Sequence, residues 1–170
     1  MKRYLYIILL FAFAKNVQLF AGEITNIDWG EATNTVQMSI SLEGGAREIN
    51  TNGTCDLVVC LKTDSKDVFF ALVTSGTTTD VSDGLSCIVI SPSGKDISPA
   101  NNSNSFGSAN MLNIRSGKIE TFKFNLGSVC SFNEVGTYKV IAKKAIGSPS
   151  VKSPFVVISN TLLVSVIPKR

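Results

Sequence analysis

Between Val36 and Leu42 apolar and polar side chains alternate one by one: Val36, Met38, Ile40 and Leu42 are separated by Gln37, Ser39 and Ser41. A period of two puts every second side chain on one face of an extended chain, so this stretch predicts a strand with one buried face. The pattern returns at Leu57, Val59 and Leu61, at Phe122, Phe124 and Leu126, at Tyr138, Val140 and Ala142, and at Leu162, Val164 and Val166. Two short apolar runs, Val68 to Val73 and Cys87 to Ile90, suit strands crossing a core. Turn residues lie between these runs: Gly44-Gly45, Asn52-Gly53, Asp64 to Asp67, Ser93-Gly94, Gly127-Ser128 and Gly147-Ser148-Pro149. Strands and turns at such spacing predict an all-β fold of seven or eight strands, a two-sheet sandwich or a barrel. Past residue 21 no helical period is sustained. Residues 91–110 are dense in Ser, Asn, Gly and Pro and read as a long loop, either a plain excursion or a binding element.

The first 21 residues follow another logic. Lys2 and Arg3 precede an unbroken apolar run from Tyr4 to Ala14, and Leu19-Phe20-Ala21 lead into Gly22. A basic start, a short apolar centre and a small-residue exit predict a secretory signal over 1–21 and a mature domain over 22–170. A spanning helix needs about 20 apolar residues, so an uncleaved anchor is the lesser reading. The expected location is secreted, periplasmic or cell-surface, with no membrane span once the leader is removed.

Export alters the reading of charge and cysteine. The whole chain carries +3, but Lys2, Arg3 and Lys15 all lie in the leader, which leaves 13 bases against 13 acids. A neutral domain has no electrostatic reason to bind nucleic acid. The Lys143-Lys144 pair reads as solvated surface charge. Cys55, Cys60, Cys87 and Cys130 all fall in the mature part, and an even count in an oxidising compartment predicts two disulfides. An extended strand would hold Cys55 and Cys60 too far apart to bridge, which favours long-range pairs with Cys87 and Cys130.

Several motifs together resemble the small immunoglobulin-like or fibronectin-III-like domains of exported bacterial proteins, over about residues 28–167. Trp29-Gly30-Glu31-Ala32 before the Val36–Leu42 alternation is similar to the opening strand. Leu57-x-Val59-x-Leu61-Lys62 with Asp64-Ser65 is similar to the second strand and its turn. Glu120 to Leu126 resembles the strand before the penultimate one, and Ser159-Asn160 ahead of Leu162 resembles the last. Gly136-Thr137-Tyr138-Lys139-Val140 resembles a tyrosine corner, in which the phenol bonds back to nearby backbone. The resemblance implies an immunoglobulin-like two-sheet Greek-key β-sandwich with Tyr138 as a structural residue. Antibody-type domains carry a cysteine where this chain has Val140, and a core tryptophan in a mid-domain strand, whereas Trp29 precedes the first. The cysteines must therefore staple the domain differently.

Candidate chemistry is thin. There is no histidine, which removes His-dependent general bases, catalytic triads and His-ligated metals. No nucleophile elbow, P-loop or dinucleotide fingerprint occurs. Asp64, Asp67, Asp80, Asp83 and Asp96 sit in turns, and Asp80 to Gly84 does not match an EF-hand loop. No cofactor or metal is expected. The expected function is a non-catalytic exported module with a binding, adhesion or structural role, its partner another protein or a surface glycan. Loops 91–110 and 127–136 are the candidate contact regions, with Phe106 and Phe132 as candidate exposed aromatics. Two alternatives come from other classes: a secreted inhibitor or chaperone-like protein-binding domain, and a small hydrolase using carboxylates alone.

Overall fold

A computed structural model describes residues 27–74, 85–98, 109–128 and 130–169. The predicted leader, Phe106 and the Asp80–Gly84 turn lie outside the described residues. The fold is all-β. In chain order the strands are β1 (Val36–Leu42), β2 (Glu48–Asn50), β3 (Asp56–Thr63), β4 (Phe69–Thr74) and β5 (Leu85–Ile90), then β6 (Ala109–Ile114), β7 (Glu120–Asn125), β8 (Gly136–Ile146), β9 (Phe155–Ile158) and β10 (Leu162–Ile167). One sheet has the order β1-β3-β7, a second β2-β10-β8-β5 with β9 beside β8, and β4-β6 form a two-stranded ribbon. The β2–β10 pair is parallel, and the other strand pairs are antiparallel.

Alternation decides which faces meet. Met38, Ile40 and Leu42 lie in register with Leu61, Val59 and Leu57, and all six are buried. From the other sheet Val89, Tyr138, Val140, Ala142, Val157, Val164 and Val166 complete the same core. Each fully buried aliphatic side chain contributes about 1.5–3 kcal/mol. A one-residue slip would turn a strand's whole apolar set towards water, so this register is strongly selected. Among the described residues no helix is long and apolar enough to cross a membrane.

Short polar devices tie the layers together. Thr33 and Val36 exchange two backbone hydrogen bonds around Asn34 and Thr35, both at positive φ, a tight turn that aims β1. Ser159 bonds both backbone groups of Ala142 in β8, through its own N–H and through its hydroxyl oxygen. The next side chain, Asn160, accepts from the Ile40 N–H at 2.8 Å and donates to the Ile40 carbonyl at 3.3 Å, so adjacent residues grip both sheets. Gly30 packs here so closely that a Cβ would meet the Ile158 carbonyl at 2.3 Å. The lone tryptophan, Trp29, lies under the Lys62 ammonium at 4.4 Å.

Two expectations change. β2, β6 and β9 add to the predicted strands, and β8 runs eleven residues. Lys144 is not solvated: it occupies the core-facing parity of β8 with Tyr138, Val140, Ala142 and Ile146, is 1% exposed, and donates to the Leu72 carbonyl. Strand parity, not the basic doublet, sets its environment.

Candidate functional site

Residues 99–108 of the 91–110 loop lie outside the described residues; its start, at Pro92 and Ser93, meets the 127–136 loop at one end of the molecule. The Ser93 hydroxyl donates to one carboxylate oxygen of Glu134 at 3.1 Å and the Ser93 N–H to the other at 3.3 Å. Gly136, at φ +135°, packs against Pro92, where a Cβ would lie 2.9 Å from the ring. The Glu134 N–H donates to the Tyr138 hydroxyl at 2.8 Å, the back-bond expected of a corner tyrosine. Asn52 joins the group by donating its N–H to the Phe132 carbonyl.

Phe132 requires a correction. It is not an exposed aromatic for ligand stacking: it is 1% exposed and packs edge-on against Tyr138, ring centres 5.0 Å apart. A large apolar ring beside the corner fills the core that the loop closes over, whatever the loop's polarity. A glycan-stacking role therefore has no aromatic among the described loop residues.

Beneath this end lie three thiols. Leu126 donates its N–H to the Cys55 carbonyl and accepts from the Cys130 N–H, which anchors both cysteines to one residue. The Cys130 thiol donates to the Ile97 carbonyl at 3.3 Å, and Ile97 continues the sheet past β5 by donating to Val89. Cys87 shares the inward face of β5 with Val89. Burial pushes the Cys55 and Cys87 thiols up to about 12 and Cys130 to about 11; the nearby Asp96 carboxylate adds to the last. Ser98 holds the Asp96 carboxyl below its usual range through hydrogen bonds from its hydroxyl and N–H. Such thiols are protonated at neutral pH and are weak nucleophiles. Cys60 stands apart, on the opposite face of β3 from Leu57, Val59 and Leu61, paired with Ser39 and Thr121. All four are free thiols. Cys60 cannot reach the other three through the sheet, so the two-bridge framework suggested by the even count does not fit this placement. Among the described residues no group of three or more acids and cysteines is placed to hold a metal ion.

Two further surfaces were not legible as sites. An open cleft of about 410 Å³ beside β2 is lined by Leu42, Ala46, Ile49 and the acids Glu43, Glu48 and Asp56. Glu43 is ion-paired with Lys123. The second surface is the outer face of the five-stranded sheet. Register sets Ile88 beside Ile141, Ala145 beside Val156, and Lys143 beside Ile158, while Leu163 flanks Lys139. Val156, Ile158 and Leu163 are 52%, 45% and 56% exposed. β5, β8, β9 and β10 contain no acid and three lysines, of which Lys139 and Lys143 face outward. An antiparallel sheet bathed on one side normally turns polar side chains outward. The available signal was the apolar residues at both parities in CIVI, FVVI and LLVSVI.

No family model and no curated protein matches the chain. Among solved structures it is similar to an ApaA-designated protein from Bordetella pertussis, at 7% identity over 84% of this chain and 98% of that one, with a TM-score of 0.44. It is also similar to the Northeast Structural Genomics Consortium target SoR45, at 9% identity over 80% and 90%, with a TM-score of 0.48. A third similarity is to a β-glucosidase from Listeria innocua in complex with glucose, at 12% identity and a TM-score of 0.40; it covers 77% of this chain and 16% of the enzyme.

Proposed function

We propose that this chain is an exported, non-catalytic immunoglobulin-like Greek-key sandwich that binds another protein through the outer face of β5, β8, β9 and β10. The observation that carries the reading is the outer face of these four strands, which bears exposed aliphatics and no acid; β2 at the sheet's far edge adds Glu48 beside Ser165. Contiguous exposed apolar surface on a folded domain marks an interaction site. Two outward lysines with no facing carboxylate suit a partner whose contact surface is apolar and acidic. The Greek-key reading draws on the way the N-terminal strands divide: β1 pairs with β3, while β2 crosses to lie parallel to β10. The Tyr138 back-bond supports it as well. Export draws on the leader pattern of residues 1–21.

The test compares the mature protein with Ile158→Asp and Leu163→Glu variants. A partner recovered from the exported fraction, identified and purified, should bind the wild type with a Kd that weakens as salt rises, and each variant at least tenfold more weakly, with melting temperatures little changed. Binding that survives both substitutions but is lost in Glu134→Ala would move the site to the loop end and overturn the assignment.

The cleft holding Glu43, Glu48 and Asp56 favours a second reading, hydrolysis by paired carboxylates. Glu43 and Glu48 are both open to water and Glu43 is neutralised by Lys123, which leaves no sheltered acid–base pair. Turnover of a glycoside substrate that disappears in Asp56→Asn would favour the enzyme instead.

A further inference from the structure

We infer that Cys87 and Cys130 are the disulfide-forming pair of this protein, and that Cys55 and Cys60 remain thiols. Cys130 lies on the segment that carries the chain from β7 in one sheet to β8 in the other; Cys87 points inward from β5. The geometry selects between the two possible partners of Cys130. Its sulfur is already turned towards the 96–98 segment, donating to the Ile97 carbonyl, and that segment is hydrogen-bonded to β5 through Ile97–Val89 and Ser98–Val89. Cys55 is tied instead to the end of β7, its carbonyl accepting from the N–H groups of Leu126 and Gly127. Cys60 is on the opposite face of its sheet.

The step is exchange with a small-molecule disulfide such as oxidised glutathione. A Cys130 thiolate attacks one glutathione sulfur and expels a glutathione thiolate; Cys87 then displaces the second. Two S–H bonds are lost and one S–S bond forms in the protein. Both electrons and both protons end on two reduced glutathione molecules. The product would fix the 127–136 loop to β5, the strand that borders the proposed binding face. The inference itself does not depend on that face having a partner.

The experiment equilibrates the mature protein with oxidised glutathione, then counts thiols in denaturant and maps peptides without reductant. The expected result is a fall from four thiols to two, and one cross-linked peptide joining Cys87 to Cys130. Cys55→Ala should leave that peptide in place, and Cys130→Ala should abolish it. A Cys55–Cys130 peptide in the wild type would overturn the pairing. So would four thiols persisting after the chain is unfolded and refolded in oxidised glutathione. Both readings come from the wild-type protein and survive the failure of any variant to fold.

Discussion

Glu134 serves the loop end twice: its N–H supports the Tyr138 hydroxyl while its carboxylate receives Ser93. Tyr138→Phe keeps the ring against Phe132 but leaves that N–H without its acceptor, and should cost about 1–2 kcal/mol in thermal or denaturant unfolding. Phe132→Ala empties a closed site and should cost about 3–5 kcal/mol by the same measurement. The raised thiols add a pH dependence. The folded state holds protons that the unfolded chain releases, so their contribution is fully present below the ordinary thiol value of 9.0 and lost as pH rises towards about 12. In the fully reduced protein, unfolding free energy followed by denaturant titration should fall through that window, less steeply in Cys87→Ala. Tyr138 was legible because a glycine two residues ahead and alternation after it form a recognisable string. Phe132 and Lys144 were misread because loop membership and a charged doublet say little about the direction a side chain takes.

At the scale of elements, one side-chain amide ties β1 to the β9–β10 turn beside the Met38–Ser159 backbone bridge. Asn160→Ala removes both of its bonds to Ile40 and should lower stability by about 2 kcal/mol, a fall of roughly 4–8 °C in melting temperature. Asn160→Asp keeps the acceptor but loses the donor, and should fall between wild type and alanine. The long alternating strands β1, β3, β8 and β10 were readable because one buried face imposes a period of two. β2 has three residues, too few to show a period. β6 emerges from the end of a polar stretch, with Asn110 and Asn113 among its six residues. β9 is apolar on both sides, and its FVVI follows a Ser-Pro step that reads as loop.

Across the whole molecule, the composition of one sheet separates scaffold from surface. β1, β3 and β7 place Gln37, Lys62, Thr121 and Lys123 outward, as a solvated face should. The larger sheet places aliphatics on both sides. Substituting its outward Val156 by Thr should leave unfolding within about 0.5 kcal/mol of wild type, because that side chain packs little within the domain; calorimetry of the isolated protein checks this. The inward alternation revealed that a core exists, but not which outer face lacks a cover, because that depends on strand order across the sheet. The loop end was located by composition. Its thiol cluster was not, since Cys55, Cys87 and Cys130 converge only when three distant segments fold together.

The side-by-side alignment of Glu48–Asn50 with Ser165–Ile167 has a mechanical consequence. The two segments run in the same direction, so tension applied across the domain draws them past each other lengthwise. Their backbone bonds are then stressed simultaneously instead of opening one after another like a zip. A domain strung between a surface and a tethered cargo would gain resistance to stretching from three residue pairs.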